Sequence, residues 1–130
     1  MKLNVRRVVT GHDGGGRAVV VADEVCSNAA SARPGHERLD LWKAADGTVF
    51  RLVRYEPGVA PRNHRTETVD YAVVLSGELE MELDGSSVRL RAGDVLIQQN
   101  TMHNWVNRGE QACVIAFVLV PAKGAKGAVG

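Results

Sequence analysis

The chain has 130 residues, of which 45% are hydrophobic and 24% charged, and this length suits one domain with one core. Sixteen Lys and Arg residues against fifteen Asp and Glu residues leave a formal charge of +1. Without a run of basic residues, this balance gives no electrostatic reason to expect a phosphate backbone as partner. We therefore expect neither a two-domain enzyme nor a nucleic acid partner.

Two further features concern the compartment. The first 17 residues contain no apolar stretch of the kind found in signal peptides, and the longest apolar run, from Ala112 to Val120, ends at Pro121 and is too short to span a bilayer. The two cysteines, Cys26 and Cys113, fit neither a disulfide framework nor a zinc site. We expect a cytoplasmic protein with no membrane partner.

The first 48 residues show a weak pattern. Strands are expected at residues 5–9 and 18–21, followed by a loop through Ser27 to His36 that is rich in Ser, Ala, Gly and Pro. His12 and His36 are both flanked by glycine in this region, where an imidazole ordinarily faces solvent. Neither is taken as a ligand candidate.

From Val49 onward, apolar and polar residues alternate with a period of two, and turn residues recur. This pattern is typical of an all-β sandwich or barrel. The clearest unit is a hairpin of residues 79–83 and 88–91 around an Asp84-Gly85 turn. Its charged side chains are expected to face one another on the solvated side, Glu80 and Glu82 against Arg89 and Arg91.

The segment from Cys113 to Val120 is apolar at odd and even positions alike. Because successive side chains of a strand point to opposite faces, both faces of this strand must be covered. We predict that it lies in the core, between two packed sheets.

A few polar residues interrupt the apolar pattern and are the candidates for chemistry. His64 and His103 each lie beside a strand-forming segment, and Thr66 and Asp70 follow His64 at even spacing. Side chains at even spacing share one face of an extended chain. Such a polar face is either a hydrogen-bonded structural cluster or a site in the mouth of a barrel.

Two other positions near His103 bear on a ligand site. One of the adjacent amides, Gln98 or Gln99, must point inward and needs a hydrogen-bond partner there. Trp105 follows His103 by two positions and shares its face. Its indole is either a wall for a planar substrate or ordinary core.

Between about Val49 and Val120 the sequence resembles the cupin family. The first cupin motif, Gly-x5-His-x-His-x3,4-Glu-x6-Gly, is matched in spacing, with Thr and Asp in place of the second His and the Glu. The second motif is matched one residue short, with Gln in place of its Pro. The matching residues are Gly58, His64, Thr66, Asp70 and Gly77 in the first motif, and Gly93, Asp94, Gln99, His103 and Asn107 in the second.

This resemblance implies a small single-domain cupin, an all-β double-stranded β-helix with a jelly-roll-like barrel. Residues 1–48 would add strands and a loop to the barrel edge or to a dimer, residues 49–122 would form the barrel core, and residues 123–130 would be a flexible tail. Cupins are often dimeric through an N-terminal strand, so we expect a homodimer. Some similar small cupins of bacteria and fungi are encoded near genes of natural-product biosynthesis.

The resemblance also implies a divalent metal held by residues at the motif positions, here His64, Thr66, Asp70 and His103. A hydroxyl is a poor ligand for a soft or borderline metal, which leaves His64, Asp70 and His103. Two imidazoles and one carboxylate are the set that holds Fe(II) with open positions, and Mn, Zn or Ni are alternatives.

Three functions therefore remain open for a cupin acting on a small organic molecule. The first is a metal-dependent enzyme of secondary or small-molecule metabolism, of oxygenase, isomerase, dehydratase or cyclase type. The second is a metal-free enzyme with Asp70 and His103 as acid and base, and the third is a non-catalytic ligand-binding module. In the enzyme readings Asp70 and His103 are catalytic, and Thr66, Gln98 and Trp105 bind the substrate.

Overall fold

The computed structural model describes residues 3–27 and 33–122, and the tail predicted at residues 123–130 lies outside them. The described residues contain no helix that is long and apolar enough to cross a membrane. They form ten strands: β1 (Asn4–His12), β2 (Ala18–Ser27), β3 (His36–Lys43), β4 (Val49–Tyr55), β5 (Thr68–Ser76), β6 (Glu78–Glu82), β7 (Ser87–Arg91), β8 (Val95–Gln99), β9 (Asn104–Val106) and β10 (Cys113–Pro121).

The strands form two sheets that face each other and one hairpin. The larger sheet has the order β3-β4-β10-β5-β8, the smaller one the order β7-β6-β9, and β1 pairs with β2. One core cluster joins the two sheets, with Val53, Val74 and Ile115 from the larger sheet and Leu79 and Trp105 from the smaller. The predicted all-β, jelly-roll-like barrel is confirmed.

Strand β10 is covered on both faces, as its composition predicts. Ile115 belongs to the cluster inside the barrel, whereas Val114 packs against a second cluster on the outer face of the larger sheet. Leu52 of β4 and Leu3 beside β1 are buried in this outer cluster. The N-terminal hairpin therefore packs against the outside of the larger sheet.

The predicted hairpin of β6 and β7 is also present, but its ion pairs differ from the expectation. Glu80 lies opposite Arg89 in the register, yet its carboxylate accepts a hydrogen bond from Arg108 Nε at 2.8 Å, and Glu82 also pairs with Arg108. The reason is that β6 has a second neighbour, β9, which brings the following Arg108 alongside. These exposed pairs contribute about 0–1 kcal/mol each.

Gly77 makes the tight connection between β5 and β6. Its φ is +76°, and a Cβ at this position would lie 2.4 Å from the carbonyl oxygen of Ala112. Only glycine combines this left-handed conformation with so close an approach of two backbone segments. The glycine that ends the first motif is therefore required by the close contact between the β5–β6 turn and the start of β10.

Candidate functional site

His64 and His103 meet through their backbones. They form an isolated antiparallel bridge in which the N–H of each donates to the carbonyl oxygen of the other at 3.0 Å. Residues paired in this way direct their side chains to the same face. The ring centroids lie 4.6 Å apart, with an angle of 52° between the planes. The two candidate imidazoles are thus brought together.

Backbone carbonyls set the tautomer of both rings. Nδ1 of His64 lies 3.2 Å from the oxygen of Arg62, and Nδ1 of His103 lies 2.8 Å from the oxygen of Thr101. A carbonyl oxygen only accepts, so Nδ1 carries the hydrogen in each neutral ring and Nε2 keeps a free lone pair. Each Nε2 can therefore take up a proton or coordinate a metal.

The environment favours the neutral form of His64. Partial burial lowers the pKa of this imidazole, and the positive charges of His103, Arg62 and Arg33 lower it further, against the hydrogen bond to the Arg62 carbonyl. At neutral pH His64 is therefore a base with its lone pair free.

Asp70 lies inside the barrel and is 5% exposed. It sits opposite Gln98 in the β5–β8 register, so both side chains point to the interior face. Its carboxylate accepts a hydrogen bond from the Thr68 hydroxyl at 2.5 Å. Burial raises the pKa of this carboxyl, although the Thr68 hydroxyl and the charges of His103 and Arg51 oppose the rise.

Thr66 is connected to Asp70 through the hydroxyl of Thr68. Its hydroxyl oxygen lies 3.0 Å from that of Thr68, which in turn binds Asp70. The even spacing from Thr66 to Asp70 thus places both on one face, as predicted. Thr68 shares that spacing, so parity could have identified it, but the family pattern drew attention only to the motif positions.

The donor set at this site does not fit the three-ligand metal centre that the resemblance implies. Residues 3–27 and 33–122 contain no group of three or more His, Cys, Asp or Glu side chains arranged to hold a metal ion. The Asp70 carboxylate binds the Thr68 hydroxyl, and the motif position of a further imidazole is occupied by Thr66. The imidazole pair alone is two ligands short of a tetrahedral site. Metal binding by His64, Asp70 and His103 stays a prediction of the sequence.

Gln98 is the inward-facing amide of the two candidates, and its neighbour Gln99 points to the opposite face. The Gln98 side chain is 3% exposed, and its Nε2 donates to the sulfur of Met81 at 3.0 Å. Its Oε1 accepts a hydrogen bond from the hydroxyl of Thr101, whose carbonyl holds His103. Gln98 therefore supports the backbone that orients the His103 ring.

Trp105 shares the face of His103, as its spacing predicts. The two rings meet edge to face with centroids 5.9 Å apart, and the indole also contacts Tyr55 at 5.8 Å and Phe117 at 6.1 Å. Trp105 is 3% exposed and belongs to the main core. The indole is thus both a core residue and the apolar wall beside His103, and its role in substrate binding stays a prediction.

The expectation that His36 faces solvent is wrong. His36 is the first residue of β3 and lies opposite Tyr55, whose ring it meets edge to face at 5.5 Å. Partial burial, together with the positive charges of nearby arginines, lowers its pKa to about 4; these arginines are Arg33, Arg38, Arg62 and Arg51. The error arose because β3 was not recognised as a strand.

Comparison with known proteins agrees with this architecture. A family model described as "Cupin domain" matches residues 51–120, which is more than half of the chain. The chain belongs to the cupin family.

Similar proteins come from fungal and bacterial metabolism. The chain is 52% identical over 62 residues to "Oryzines biosynthesis cluster protein J" of Aspergillus oryzae, covering 47% of this chain and 35% of that protein. It is 43% identical over 63 residues to "Cupin-domain-containing oxidoreductase fogC" of Aspergillus ruber, covering 48% and 31%. The chain thus spans about a third of the length of these two relatives.

Among solved structures, the polyketide cyclase RemF from Streptomyces resistomycificus superposes with a TM-score of 0.61. The sequences are 18% identical, and the match covers 75% of this chain and 73% of that one. At this identity the similarity concerns the fold. The biosynthesis and oxidoreductase relatives, rather than this structure, are consistent with a cupin of small-molecule metabolism.

Proposed function

We propose that this chain is an enzyme of secondary metabolism that transfers protons on a small organic substrate inside the cupin barrel. Asp70 and His103 act as acid and base without a metal. One observation carries this proposal: a buried carboxyl with a raised pKa lies in the same interior as a buried imidazole whose Nε2 lone pair is free. A buried carboxyl group and an imidazole in one barrel interior are typical of acid–base catalysis.

The two groups have complementary roles. His103 takes a proton from a C–H or O–H group of the substrate at Nε2, while its Nδ1–H stays bound to the Thr101 carbonyl. Asp70, kept in its acid form over a wider pH range by burial, donates a proton to the oxygen or carbon that gains electron density. One proton leaves the substrate and one is returned, so isomerisation, dehydration or cyclisation needs no oxidant.

Two hydroxyls connect Asp70 with the outer part of the site. The Thr68 hydroxyl lies between Asp70 and Thr66, at 2.5 Å and 3.0 Å. A hydroxyl donates one hydrogen and accepts others, so the hydrogen bonds between Thr66, Thr68 and Asp70 can be oriented in either direction. When Asp70 gives up its proton, Thr68 and Thr66 can pass on a replacement. Thr66 thus serves the reaction through Thr68 rather than as a metal ligand.

Gene replacement in the producing cell tests the proposed function. We suggest His103→Gln and Asp70→Asn alleles, with Glu80→Gln on the solvated face as control, and mass spectrometry of cell extracts. Each site allele should accumulate a precursor that has the mass of the product or differs from it by one water. A precursor that differs by an oxygen atom or by two hydrogens would mean redox chemistry and overturn the proposal. Unchanged metabolites would leave a ligand-binding module instead.

A metalloenzyme is the second candidate, favoured by the paired imidazoles with two free Nε2 atoms. Metal analysis of untagged protein, refolded with Fe(II), Mn(II), Zn(II) or Ni(II), separates it from the first. Less than about a tenth of an equivalent of metal removes this candidate. A full equivalent that is lost in His64→Ala and in His103→Ala would replace the metal-free mechanism.

We further propose that the outer face of the larger sheet pairs with a second copy of the chain. Tyr71 and Leu75 of β5 and Ile97 of β8 are 49%, 52% and 52% exposed on this face. Phe50 of β4 is 43% exposed and lies on the other side of β10. A contiguous exposed apolar face of this kind marks an association surface.

Sedimentation velocity tests the dimer. Leu75→Glu should convert a dimer into a monomer, whereas Val88→Glu, an exposed apolar position on the smaller sheet, should leave the dimer intact. A wild-type protein that sediments as a monomer, or two variants that behave alike, contradicts the proposal.

A further inference from the structure

Arginines gather beside the histidines of the candidate site. Arg38 lies opposite the core residue Val53 in the β3–β4 register, so its side chain starts on the interior face of the edge strand β3. His36 and Asp40 share this face through even spacing. The charge of Arg38 reaches the His36 imidazole, whose pKa it lowers.

Arg62 approaches from the segment that carries His64. Its backbone N–H donates to Asn104 Oδ1 at 2.7 Å, and its carbonyl oxygen accepts from His64 Nδ1. Arg33 is anchored to the same segment, because its Nε donates to the carbonyl oxygen of Ala60 at 2.8 Å. We call Arg33, Arg38 and Arg62 the arginine rim.

Two arginines of the rim, Arg38 and Arg62, keep their charge available for a ligand. Asp40 is bound to Arg51 at 2.5 Å and also contacts Lys43 at 3.7 Å. Within residues 3–27 and 33–122, neither Arg38 nor Arg62 has a carboxylate within ion-pair distance. These two guanidinium groups keep their hydrogen-bond donors for another partner.

The charges of the rim act on two histidines, His36 and His64. Arg62 and Arg33 lower the pKa of both His36 and His64, and Arg38 adds to the effect at His36. One positive region thus includes His36 and the partly exposed His64, which lies next to buried His103. Such a region attracts anions and repels cations. A guanidinium group binds a carboxylate with two parallel hydrogen bonds.

We propose that the ligand of this site is a small organic acid whose carboxylate binds Arg38 and Arg62, while its apolar, planar part extends toward His103 and Trp105. The location of the reacting atoms rests on the proposed function. The carboxylate contact does not, because it follows from the placement and pairing of the arginines. The aromatic residues Trp105 and Tyr55 are the matching surface for a conjugated or aromatic body.

Binding of sodium benzoate, compared with its neutral analogue benzamide, tests the inference. The chain has two tryptophans, and Trp42 is 49% exposed, far more than Trp105. Tryptophan fluorescence in a Trp42→Phe background therefore reports on Trp105 alone. Benzoate should give a saturable change that weakens with added salt, and benzamide should bind about tenfold more weakly, a difference of roughly 1.4 kcal/mol.

Substitutions then assign the contact. Arg38→Gln and Arg62→Gln should each weaken benzoate binding about tenfold and leave benzamide binding unchanged. Gln keeps the first three side-chain carbons and a polar end, removes the charge, and leaves the Arg62 backbone contacts in place. Thermal melting followed by circular dichroism checks the fold. Arg89→Gln, on the exposed face of β7, is the matched control and should bind benzoate as the wild type does.

Equal affinity for the two probes, no saturable response to benzoate up to its solubility, or unchanged binding in both rim variants would overturn the inference. The outcome is independent of the gene-replacement experiment. If the His103→Gln and Asp70→Asn alleles leave metabolites unchanged while benzoate discrimination persists, the proposed catalysis fails and the organic-acid site stands. If the alleles change the metabolites but the protein does not discriminate benzoate from benzamide, only the organic-acid site is removed.

Discussion

The Thr68 hydroxyl donates to the Asp70 carboxylate at 2.5 Å within the barrel interior. This bond lowers the pKa of Asp70, against the larger effect of burial, which raises it. Two opposed effects therefore set the pKa of Asp70, and one substitution can test each of them.

Removal of the Asp70 charge should stabilise the protein at neutral pH. The ordinary pKa of the carboxyl is 3.8, and the folded value lies above it. Between these two values the folded state binds more protons than the unfolded state, so stability falls as the pH rises through this window. Asp70→Asn lacks this penalty and should be more stable than the wild type at pH 7. Urea unfolding at several pH values measures the gain, which should vanish below pH 3.8; a variant less stable at pH 7 contradicts the prediction.

Loss of the Thr68 hydroxyl should raise the pKa of Asp70 further, because the carboxylate then loses a hydrogen bond that favours its charged form. Thr68→Val removes the hydroxyl at nearly constant shape, and Thr68→Ser restores it. Carboxyl ¹³C NMR titration of the three proteins gives the values directly. We expect Val above the wild type and Ser close to it, and equal values in Val and Ser would show that the bond has no effect.

His36 should make stability depend on pH in the mildly acidic range. Its pKa falls from 6.5 in the unfolded chain to about 4 in the fold. The unfolded state therefore binds more protons between these values, and stability is lost as the pH falls from 6.5 to 4. The loss amounts to roughly 2 kcal/mol after allowance for solvent screening at this half-buried ring.

His36→Phe keeps an aromatic edge against Tyr55 and cannot take up a proton. The difference in unfolding free energy between wild type and variant, measured by urea titration from pH 7 to pH 4, isolates the contribution of His36. A constant difference across this range would mean that the ring is protonated equally in both states.

Gly77 should tolerate alanine far less than Gly85 does. Both have positive φ, +76° and +72°, but a Cβ on Gly77 meets the Ala112 oxygen at 2.4 Å, whereas nothing lies within 4 Å of one on Gly85. We expect Gly77→Ala to cost about 3 kcal/mol or more and Gly85→Ala about 1 kcal/mol. Urea unfolding of the two variants compares them, and similar losses would mean that the close backbone contact relaxes at little cost.

The alternation of apolar and polar residues predicts a strand only where that strand has one apolar and one polar face. It found β6 and β7, a continuous apolar run indicated β10, and parity placed Thr66 and Asp70 together. It missed β3 because the strand turns its polar residues, His36 and Arg38, toward the barrel and its apolar ones outward. The usual association of apolar with interior is reversed there.

The meeting of His64 and His103 has a different origin. No local pattern relates two residues so far apart in the chain, and only the cupin spacing anticipated the pair. Neither alternation nor the cupin spacing predicted the arginine rim, because the position of Arg62 depends on how the segment before β5 folds against Asn104. Long-range pairing of irregular segments leaves no periodic signal in the sequence.

The mutual backbone bridge of His64 and His103 has a consequence for motion. Both rings extend from one pair of reciprocal amide hydrogen bonds, so the two backbone segments that carry them cannot separate unless these two bonds break. Hydrogen–deuterium exchange at these two amides therefore reports how often the two segments open at the candidate site, and a bound organic acid would slow both amides together.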